Sequence, residues 1–162
     1  MQHSSARPAD AIERILDTHG NALYRLCLVM LRNPSDAEDA VQETILKYLQ
    51  KAPAFRDTEH EKAWLIRVAA NHCRDLLRHR ARHPQTALEE IREAAPAAAD
   101  SGILEALMAL PEKYRIVLTL YYVEECPIAQ IAQVIGRTPS AVKMRLQKGR
   151  KLLEEIYRRE YL

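Results

Sequence analysis

The most chemically specific stretch of the sequence runs from Arg137 to Lys151, where six side chains are basic and none is acidic. A helix over this stretch, at 100° per residue, places an apolar stripe opposite a polar arc that contains no acid. The stripe holds Val142, Leu146, Gly149, Leu153 and Ile156, and the polar arc holds Ser140, Lys143, Met144, Gln147, Lys148 and Lys151. Such a helix fits the major groove of DNA, with basic flanks resting on phosphates. Lys143 and Gln147 are predicted to bond base edges, and the predicted phosphate contacts are Arg137, Arg145, Arg150 and Lys151.

The residues just before this helix have the layout of a helix-turn-helix. A short apolar segment, residues 127–135, carries the small residue Ala132 where two helices would approach each other. Gly136 permits the turn, Thr138 can cap the second helix, and Pro139 suits its first position. A helical hairpin with no role in DNA binding could share this spacing, and that alternative stays open here.

A second group of cations surrounds the only tryptophan of the chain. The apolar pattern predicts a helix over about residues 61–82, with a core stripe that leaves out Trp64 and Val68. The other arc then contains Trp64, Arg67, Asn71, Arg74 and Arg78. An aromatic ring among cations is the combination that proteins use to bind single-stranded nucleic acid. A lone tryptophan is also common in protein cores, so both interpretations remain.

The segment before this helix, residues 52–61, is predicted to be a loop. It contains Phe55, Arg56, Asp57 and Thr58. A loop of this length can line a pocket for an extruded base, although a plain connection is the simpler interpretation.

An acidic face characterises the helix predicted from Ser35 to about Gln50. Ser35 followed by Glu38 is a capping-box signature for its start. Opposite a core face formed by Ala40, Val41, Thr44 and Tyr48, one arc carries Glu38, Asp39, Gln42 and Glu43, with Leu46 among them. Acids around an exposed leucine favour a basic protein partner and repel DNA. The alternative is a solvated face in which Glu38 serves the cap.

Composition indicates how these elements are organised. The 162 residues include only 4 glycines and 1 phenylalanine, which favours an all-α protein over a turn-rich β fold.

A further helix is expected over residues 10–32, interrupted near Gly20. After a linker over residues 84–102, we expect a short helix to Leu110, a helix from Pro111 to near Val123, and the helix-turn-helix pair. The net charge is +2 for residues 1–84, −4 for 85–111 and +4 for 112–162. The sequence thus predicts two small helical domains, 1–83 and 103–162, joined by a flexible acidic linker.

Cysteine usage and hydropathy bear on location. Cys27, Cys73 and Cys126 lie in apolar helical patterns, which indicates buried, reduced thiols and a cytosolic compartment. No apolar run approaches the roughly 18 residues of a membrane helix, and no apolar leader follows Met1, so we expect neither membrane insertion nor secretion.

Taken in order, four motifs resemble the extracytoplasmic-function (ECF) sigma factors of bacterial RNA polymerase. They are residues 36–44 (DAEDAVQET), 55–56 (FR), 63–71 (AWLIRVAAN) and 110–115 (LPEKYR), followed by the helix-turn-helix. The resemblance covers roughly residues 10–83 and 103–156. It implies a sigma region 2 domain, a linker and a sigma region 4 domain, with no cofactor and no catalytic activity.

The resemblance also implies partners for each surface. The acidic helix would dock on the β′ clamp helices of core polymerase, the C-terminal domain would meet the β flap, and an anti-sigma factor would regulate the chain. The Trp64 helix and its preceding loop would capture the melted −10 element, and the acidic linker would thread the RNA channel. The helix-turn-helix would bind the −35 element, where Lys143, Met144, Gln147 and Lys148 match base-facing positions and Arg145 matches a family arginine. The protein would work in the cytoplasm and would be associated with the nucleoid once it is part of the holoenzyme.

Three residues depart from the family pattern. Asp57 replaces a frequent glycine, Arg137 a usual apolar residue, and Met144 a common small polar residue, so the resemblance leaves the promoter sequence open. Two rival functions stay open beside that of a sigma factor. One is a regulator that binds duplex DNA without polymerase, and the other is a metal enzyme using His72, His79 and His83, which lack an acidic ligand beside them.

Overall fold

The computed structural model describes residues 8–82 and 101–161, and every regular element within these two ranges is helical. The first range contains α1 (Pro8–Leu31), α2 (Pro34–Lys51) and α3 (Thr58–Arg82). The second contains α4 (Ser101–Ala109), α5 (Glu112–Leu118), a π-helical segment (Thr119–Val123), α6 (Ile128–Ile135) and α7 (Pro139–Tyr161). We call these ranges the N-terminal and C-terminal modules. The all-α prediction is confirmed, and the predicted linker lies outside the described residues except for its last two positions.

Helix α1 is continuous, so the predicted interruption near Gly20 is wrong. A glycine in a helix interior costs about 1 kcal/mol relative to alanine. Burial of an apolar residue in each flanking turn offsets that cost, because Ile15, Leu23 and Leu26 are all essentially inaccessible to solvent. Tertiary packing therefore overrides the local preference.

Helix α2 is capped by Asn33, two residues before the cap that the capping-box signature predicts at Ser35. The Asn33 side chain accepts a hydrogen bond from the backbone N–H of Asp36 at 3.0 Å, and Pro34 occupies the first helical position. Proline disfavours the helical conformation in the residue before it, so Asn33 is extended and becomes the cap. Ser35 is therefore inside the helix, and the capping-box prediction with Glu38 is wrong.

Helix α3 also begins earlier than predicted, at Thr58. The Asp57 carboxylate accepts a hydrogen bond from the backbone N–H of His60 at 2.8 Å and caps this end. The connection between α2 and α3 is consequently short, and Thr58 belongs to the helix.

The C-terminal module is built around the apolar stripe of α7. Val142 and Leu146 are buried as predicted, and Gly149 allows a close approach of α5 to α7. A Cβ atom at Gly149 would lie 3.2 Å from both Leu118 Cδ1 and Tyr114 Cβ. The helix predicted from Pro111 to Val123 is divided, since its last turn widens into the π-helical segment.

A single hydrophobic core runs through both modules. α1, α2 and α3 pack on one another, and α4, α5 and α6 each pack on α7. Across the boundary, α6 packs on α3 and α5 packs on α1. The two modules therefore meet over two pairs of helices.

Candidate nucleic-acid interface

The polar arc of α7 is exposed along its length. Met144 is 71% exposed, although large apolar side chains are usually covered. The predicted positions that lie exposed to solvent are Arg137, Ser140, Lys143, Met144, Gln147, Lys148 and Lys151, while Arg145 is half-buried. The structure thus places Ser140, Lys143, Met144, Gln147, Lys148 and Lys151 on one accessible face of α7, with Arg137 in the turn before that helix.

Local geometry fixes where this face points. Gly136 adopts the left-handed conformation, with φ of 67°, and ends α6. Thr138 Oγ1 accepts a hydrogen bond from the Ala141 N–H at 3.2 Å and caps α7. Both predicted turn residues act as expected, and together they set the angle between the two helices.

The positive charge on the polar arc of α7 is not neutralised by acidic side chains among the described residues. Among the described residues, no carboxylate forms an ion pair with Lys143, Arg145 or Lys151. Arg150, a predicted phosphate contact, donates a hydrogen bond to the Tyr122 hydroxyl at 2.7 Å. The arc therefore remains available for a polyanion.

Trp64 lies at the edge of the core and is half-buried. Its ring centroid is 6.0 Å from that of Tyr48 and 5.9 Å from that of Phe55, both in edge-on arrangements. Phe55 in turn stacks on Tyr48 and meets His60 edge-on. The sequence left two interpretations of Trp64, a stacking surface for a base and a core residue. The structure has features of both, because Trp64 belongs to an aromatic cluster at the edge of the core and that cluster has a polar border.

That border consists of the other predicted residues of α3 and its loop. Arg67, Asn71 and Arg78 are exposed, and Arg74 is half-buried beside them. Arg74 donates a hydrogen bond to the Asn71 side-chain oxygen, and Arg78 lies 3.8 Å from Asp75. Burial lowers the pKa of Arg74, yet a guanidinium stays charged at neutral pH. In the loop, Arg56 and Asp57 are exposed and Phe55 is half-buried.

A buried polar network that the sequence did not reveal holds the start of α3. Glu61 accepts two hydrogen bonds from Arg14, at 2.9 and 2.8 Å, and one from the Tyr48 hydroxyl at 2.9 Å. His19 Nε2 lies 2.9 Å from the same carboxylate. The hydrogen bonds from Arg14, with those from Tyr48 and His19, hold the pKa of Glu61 down at about 2. Because Glu61 lies 42 to 47 residues from its α1 partners, no local pattern signals this network.

The acidic face of α2 is also exposed as predicted. Glu38, Asp39, Gln42 and Glu43 are open to solvent, and Leu46 is 48% exposed. Glu38 takes no part in capping, because Asn33 fills that role. Leu49, which the sequence analysis did not single out, is 40% exposed and extends the apolar part of this face.

Two of the three histidines considered as metal ligands lie within the described part of the chain. His72 is half-buried and His79 is exposed, while His83 lies outside the described residues. Within that same part, no three His, Cys, Asp or Glu side chains converge to hold a metal ion.

The three cysteines are buried and free, as the sequence predicts. None of the described helices combines the length and apolar composition that crossing a bilayer requires.

Comparison with known proteins assigns a family to both halves of the chain. Residues 15–83 match the model of sigma-70 region 2, and residues 101–153 match that of sigma-70 region 4. RNA polymerase sigma factor SigV of Bacillus subtilis is 30% identical over 139 residues, covering 83% of this chain and 84% of that protein. RNA polymerase sigma factor CarQ of Myxococcus xanthus is 30% identical over 156 residues, covering 91% and 89%. ECF RNA polymerase sigma factor SigM of Mycobacterium tuberculosis is 29% identical over 150 residues, covering 90% and 76%.

The fold is shared with a solved structure, that of the sigma factor RpoE in complex with the anti-sigma factor NepR from Bartonella quintana. That chain superposes with a TM-score of 0.72 at 21% identity, over 93% of this chain and 98% of the other. With both sigma-70 regions matched in order and relatives aligned over most of their length, this chain belongs to the ECF sigma factors of the sigma-70 family.

Proposed function

We propose that this sigma factor binds core RNA polymerase through the acidic face of α2 and directs initiation at promoters that it recognises at two elements. The C-terminal module would recognise the −35 element as duplex, and the N-terminal module would hold the −10 element as a melted single strand. The protein would act in the cytoplasm as a binding factor and not as an enzyme.

The observation that carries this proposal is the exposed, acid-free arc of α7. A helix that enters the major groove needs side chains that bond base edges at its centre and cations at its flanks. Lys143 and Gln147 lie one turn apart on this arc, with Met144 beside them. The exposed Met144 side chain offers apolar contact to a thymine methyl group. Arg137, Arg145 and Lys151 would rest on phosphates.

Support for the −10 assignment comes from the border around Trp64. Single-strand binding combines aromatic rings with cations that follow the backbone. Trp64 has Arg67 one turn away on the same helix, and Asn71 and Arg74 continue the polar border. Phe55 and Arg56 in the preceding loop extend this surface toward the start of α3.

Complementary charge supports docking of α2 on polymerase. A rim of acids around exposed leucines is suited to a basic protein surface and unsuited to DNA. Leu46 and Leu49 supply apolar area at the centre of such a contact. We assign this face to the β′ clamp helices, the C-terminal module to the β flap, and regulation to an anti-sigma factor.

Charge reversal on α2 tests the proposal. Asp39→Arg with Glu43→Arg should reduce binding of core polymerase by more than a hundredfold, because two exposed acids become repulsive cations. Helical content should be unchanged, since exposed substitutions alter stability by only about 0.5 kcal/mol each.

The matched control is Glu13→Arg with Asp17→Arg on α1. These two exposed acids have the same spacing of four residues but lie on another helix. Pull-down of core enzyme should be lost only with the α2 variant. Equal retention of polymerase by both double variants would refute the docking assignment.

A further inference from the structure

A cation at the edge of the α7 arc is held by an uncharged side chain from another element. Arg150 Nη1 donates a hydrogen bond to the Tyr122 hydroxyl at 2.7 Å. We propose that Tyr122 is a positioning residue for recognition of the −35 element, whose hydroxyl holds the Arg150 guanidinium in the orientation that contacts a DNA phosphate. The inference rests on the proposed binding of duplex DNA by α7.

Arg150 lies on the same side of α7 as the residues assigned to base edges. It follows Gln147 by three positions and Lys143 by seven, and these spacings return to nearly the same side of a helix. All three side chains are exposed to solvent. A guanidinium at this edge is suited to the phosphates that border a groove occupied by Lys143 and Gln147.

The hydrogen-bond partner of Arg150 is a phenol and not an acid. Among the described residues, no carboxylate forms an ion pair with Arg150. An acid in the place of Tyr122 would hold the guanidinium, but it would also neutralise the positive charge and repel the DNA backbone. A phenol occupies one N–H donor of the guanidinium and leaves the charge and the remaining donors for a phosphate.

The π-helical segment fixes the position of Tyr122. The Glu124 N–H donates to the Thr119 backbone oxygen at 3.0 Å, and Leu120 between them is fully buried. The ring of Tyr121 packs edge-on against that of Tyr122, with centroids 4.9 Å apart. Because tyrosine has only two side-chain torsions and its backbone is held here, its hydroxyl is a well-placed acceptor for a longer side chain.

Burial of apolar surface does not explain where the Tyr122 ring lies. Tyr122 is 53% exposed, directly after the buried run that ends at Leu120. The wider π turn changes the direction of the side chains that follow it, and such turns recur at functional sites. In this protein the turn brings a hydroxyl to the edge of the proposed DNA surface.

Holding Arg150 in advance favours binding through entropy. An exposed arginine samples many rotamers, and a phosphate contact restricts them. When part of that restriction exists before the DNA arrives, less entropy is lost on binding. Tyr122 should therefore increase the affinity for DNA without touching the DNA itself.

A purely structural role for the hydrogen bond predicts a different result. The bond is exposed, and exposed polar contacts contribute little to folding. Tyr122→Phe removes the hydroxyl and keeps the ring, so its thermal unfolding temperature should equal that of wild type. Weaker DNA binding at unchanged stability is the signature of a positioning residue.

The test is a double-mutant cycle on Tyr122→Phe and Arg150→Ala. Holoenzyme reconstituted from core polymerase and each full-length variant is titrated against a fluorescein-labelled promoter duplex, which wild-type holoenzyme has selected from a randomised library. Arg150→Ala should weaken binding about fivefold at about 0.15 M salt, the effect of losing one phosphate contact. Tyr122→Phe should weaken binding about two- to threefold, and the double variant should be no weaker than Arg150→Ala.

Salt dependence and a neighbouring tyrosine supply the controls. The slope of log affinity against log salt should fall by about 0.9 for Arg150→Ala and by a smaller amount for Tyr122→Phe. A variant that merely lowers the folded fraction would leave this slope unchanged. Tyr121→Phe removes a hydroxyl from the adjacent ring and should keep the wild-type affinity and slope.

Several results would overturn the proposal. Wild-type affinity for Tyr122→Phe beside a weakened Arg150→Ala would overturn it and leave the proposed function intact. Equal losses from Tyr122→Phe with and without Arg150 would show that the hydroxyl acts on the DNA independently. A lowered unfolding temperature for Tyr122→Phe would show a structural role. Wild-type affinity and slope for Arg150→Ala would remove the phosphate contact itself, and failure of the wild-type holoenzyme to select any promoter would refute the proposed function as well.

Discussion

The faces of α7 and α3 are both cationic, but they differ in how they are presented and in what holds them. The α7 arc is open to solvent from Ser140 to Lys151, and the helix behind it is anchored by apolar packing. The α3 face lies across a cleft of about 330 Å³ from α6, with the Trp64 ring half-buried, and its start is anchored by the buried carboxylate of Glu61.

This difference matches the two forms of DNA that the faces are proposed to bind. A duplex major groove exists before the protein arrives, so a ready-made helix face is sufficient to bind it. Unpaired bases appear only after the strands separate, and a stacking surface has no ligand until then. An exposed face for duplex DNA and a partly buried aromatic face for single-stranded DNA therefore fit the order in which a promoter is first bound and then melted.

The largest expected effect comes from breaking the anchor of α3. Glu61→Gln should lower the free energy of unfolding by roughly 3 kcal/mol at neutral pH, because Arg14, Tyr48 and His19 lose a charged acceptor. The pKa of Glu61 is lowered to about 2 in the folded chain, from an ordinary value near 4.5. Its stabilisation is complete above that ordinary value and is lost as the pH falls toward 2. Thermal unfolding of both proteins between pH 7 and pH 3 should show the difference shrinking below about pH 4.5.

Gly149→Ala perturbs the apolar packing that anchors α7, as Glu61→Gln perturbs the charged anchor of α3. The added Cβ atom would meet Leu118 and Tyr114 at 3.2 Å and should cost about 1–2 kcal/mol through overpacking. The contact is made by uncharged carbon atoms, so the loss should be the same between pH 7 and pH 3. If the Glu61→Gln difference were also constant with pH, the contrast between a charged and an apolar anchor would be wrong.

Next in size is the effect of removing the ring of Trp64. Trp64→Ala should slow promoter opening about tenfold or more, since stacking contributes roughly 1–3 kcal/mol per base. Permanganate footprinting by the reconstituted holoenzyme would show the defect on a linear duplex promoter, with recovery on a template already mismatched at −10. Trp64→Phe keeps an aromatic ring and should retain part of the activity. Equal defects on both templates would indicate that the ring is needed for the fold rather than for the melted strand.

A smaller and more selective effect is expected on α7. Lys143→Ala should cost about 1–3 kcal/mol at the preferred −35 sequence and relax discrimination at one base pair. Transcription from a set of single-base −35 variants measures this directly.

The smallest effect is expected at the flank of the same helix. Lys151→Ala should weaken every −35 variant by a similar, modest factor and reduce the salt dependence of binding, because a phosphate contact carries no sequence information. Identical profiles for Lys143→Ala and Lys151→Ala would remove the distinction between base and phosphate contacts.

What the sequence predicts well is set by local periodicity. The α7 arc follows from a 3.6-residue repeat within one helix, and Gly136 and Thr138 act at the turn as their residue types indicate. Local signals also compete, as at the start of α2, where Asn33 before Pro34 prevails over the signature at Ser35. The break expected at Gly20 fails for another reason, since packing on both sides of a single glycine outweighs its modest cost.

Contacts between distant residues could not be found this way. Arg25 and Glu124 are 99 residues apart, and Arg14 and Glu61 are 47 apart. Each of these charges has the same local pattern as an ordinary solvated side chain. Both the packing of α6 on α3 and the anchor of its first turn become visible only when the helices are assembled.

Reconstituted transcription on a library randomised across the promoter tests whether this chain directs core polymerase to promoters through two DNA elements. With core polymerase and this chain together, we expect transcripts whose templates share two elements at a fixed separation, and none when either protein is omitted. Repeating the selection with Lys143→Ala should change the upstream element and leave the downstream one as it was. If the chain alone selected duplexes from the library at nanomolar affinity while core polymerase gained no transcript from it, the protein would act as a free DNA-binding regulator and the proposed function would be refuted.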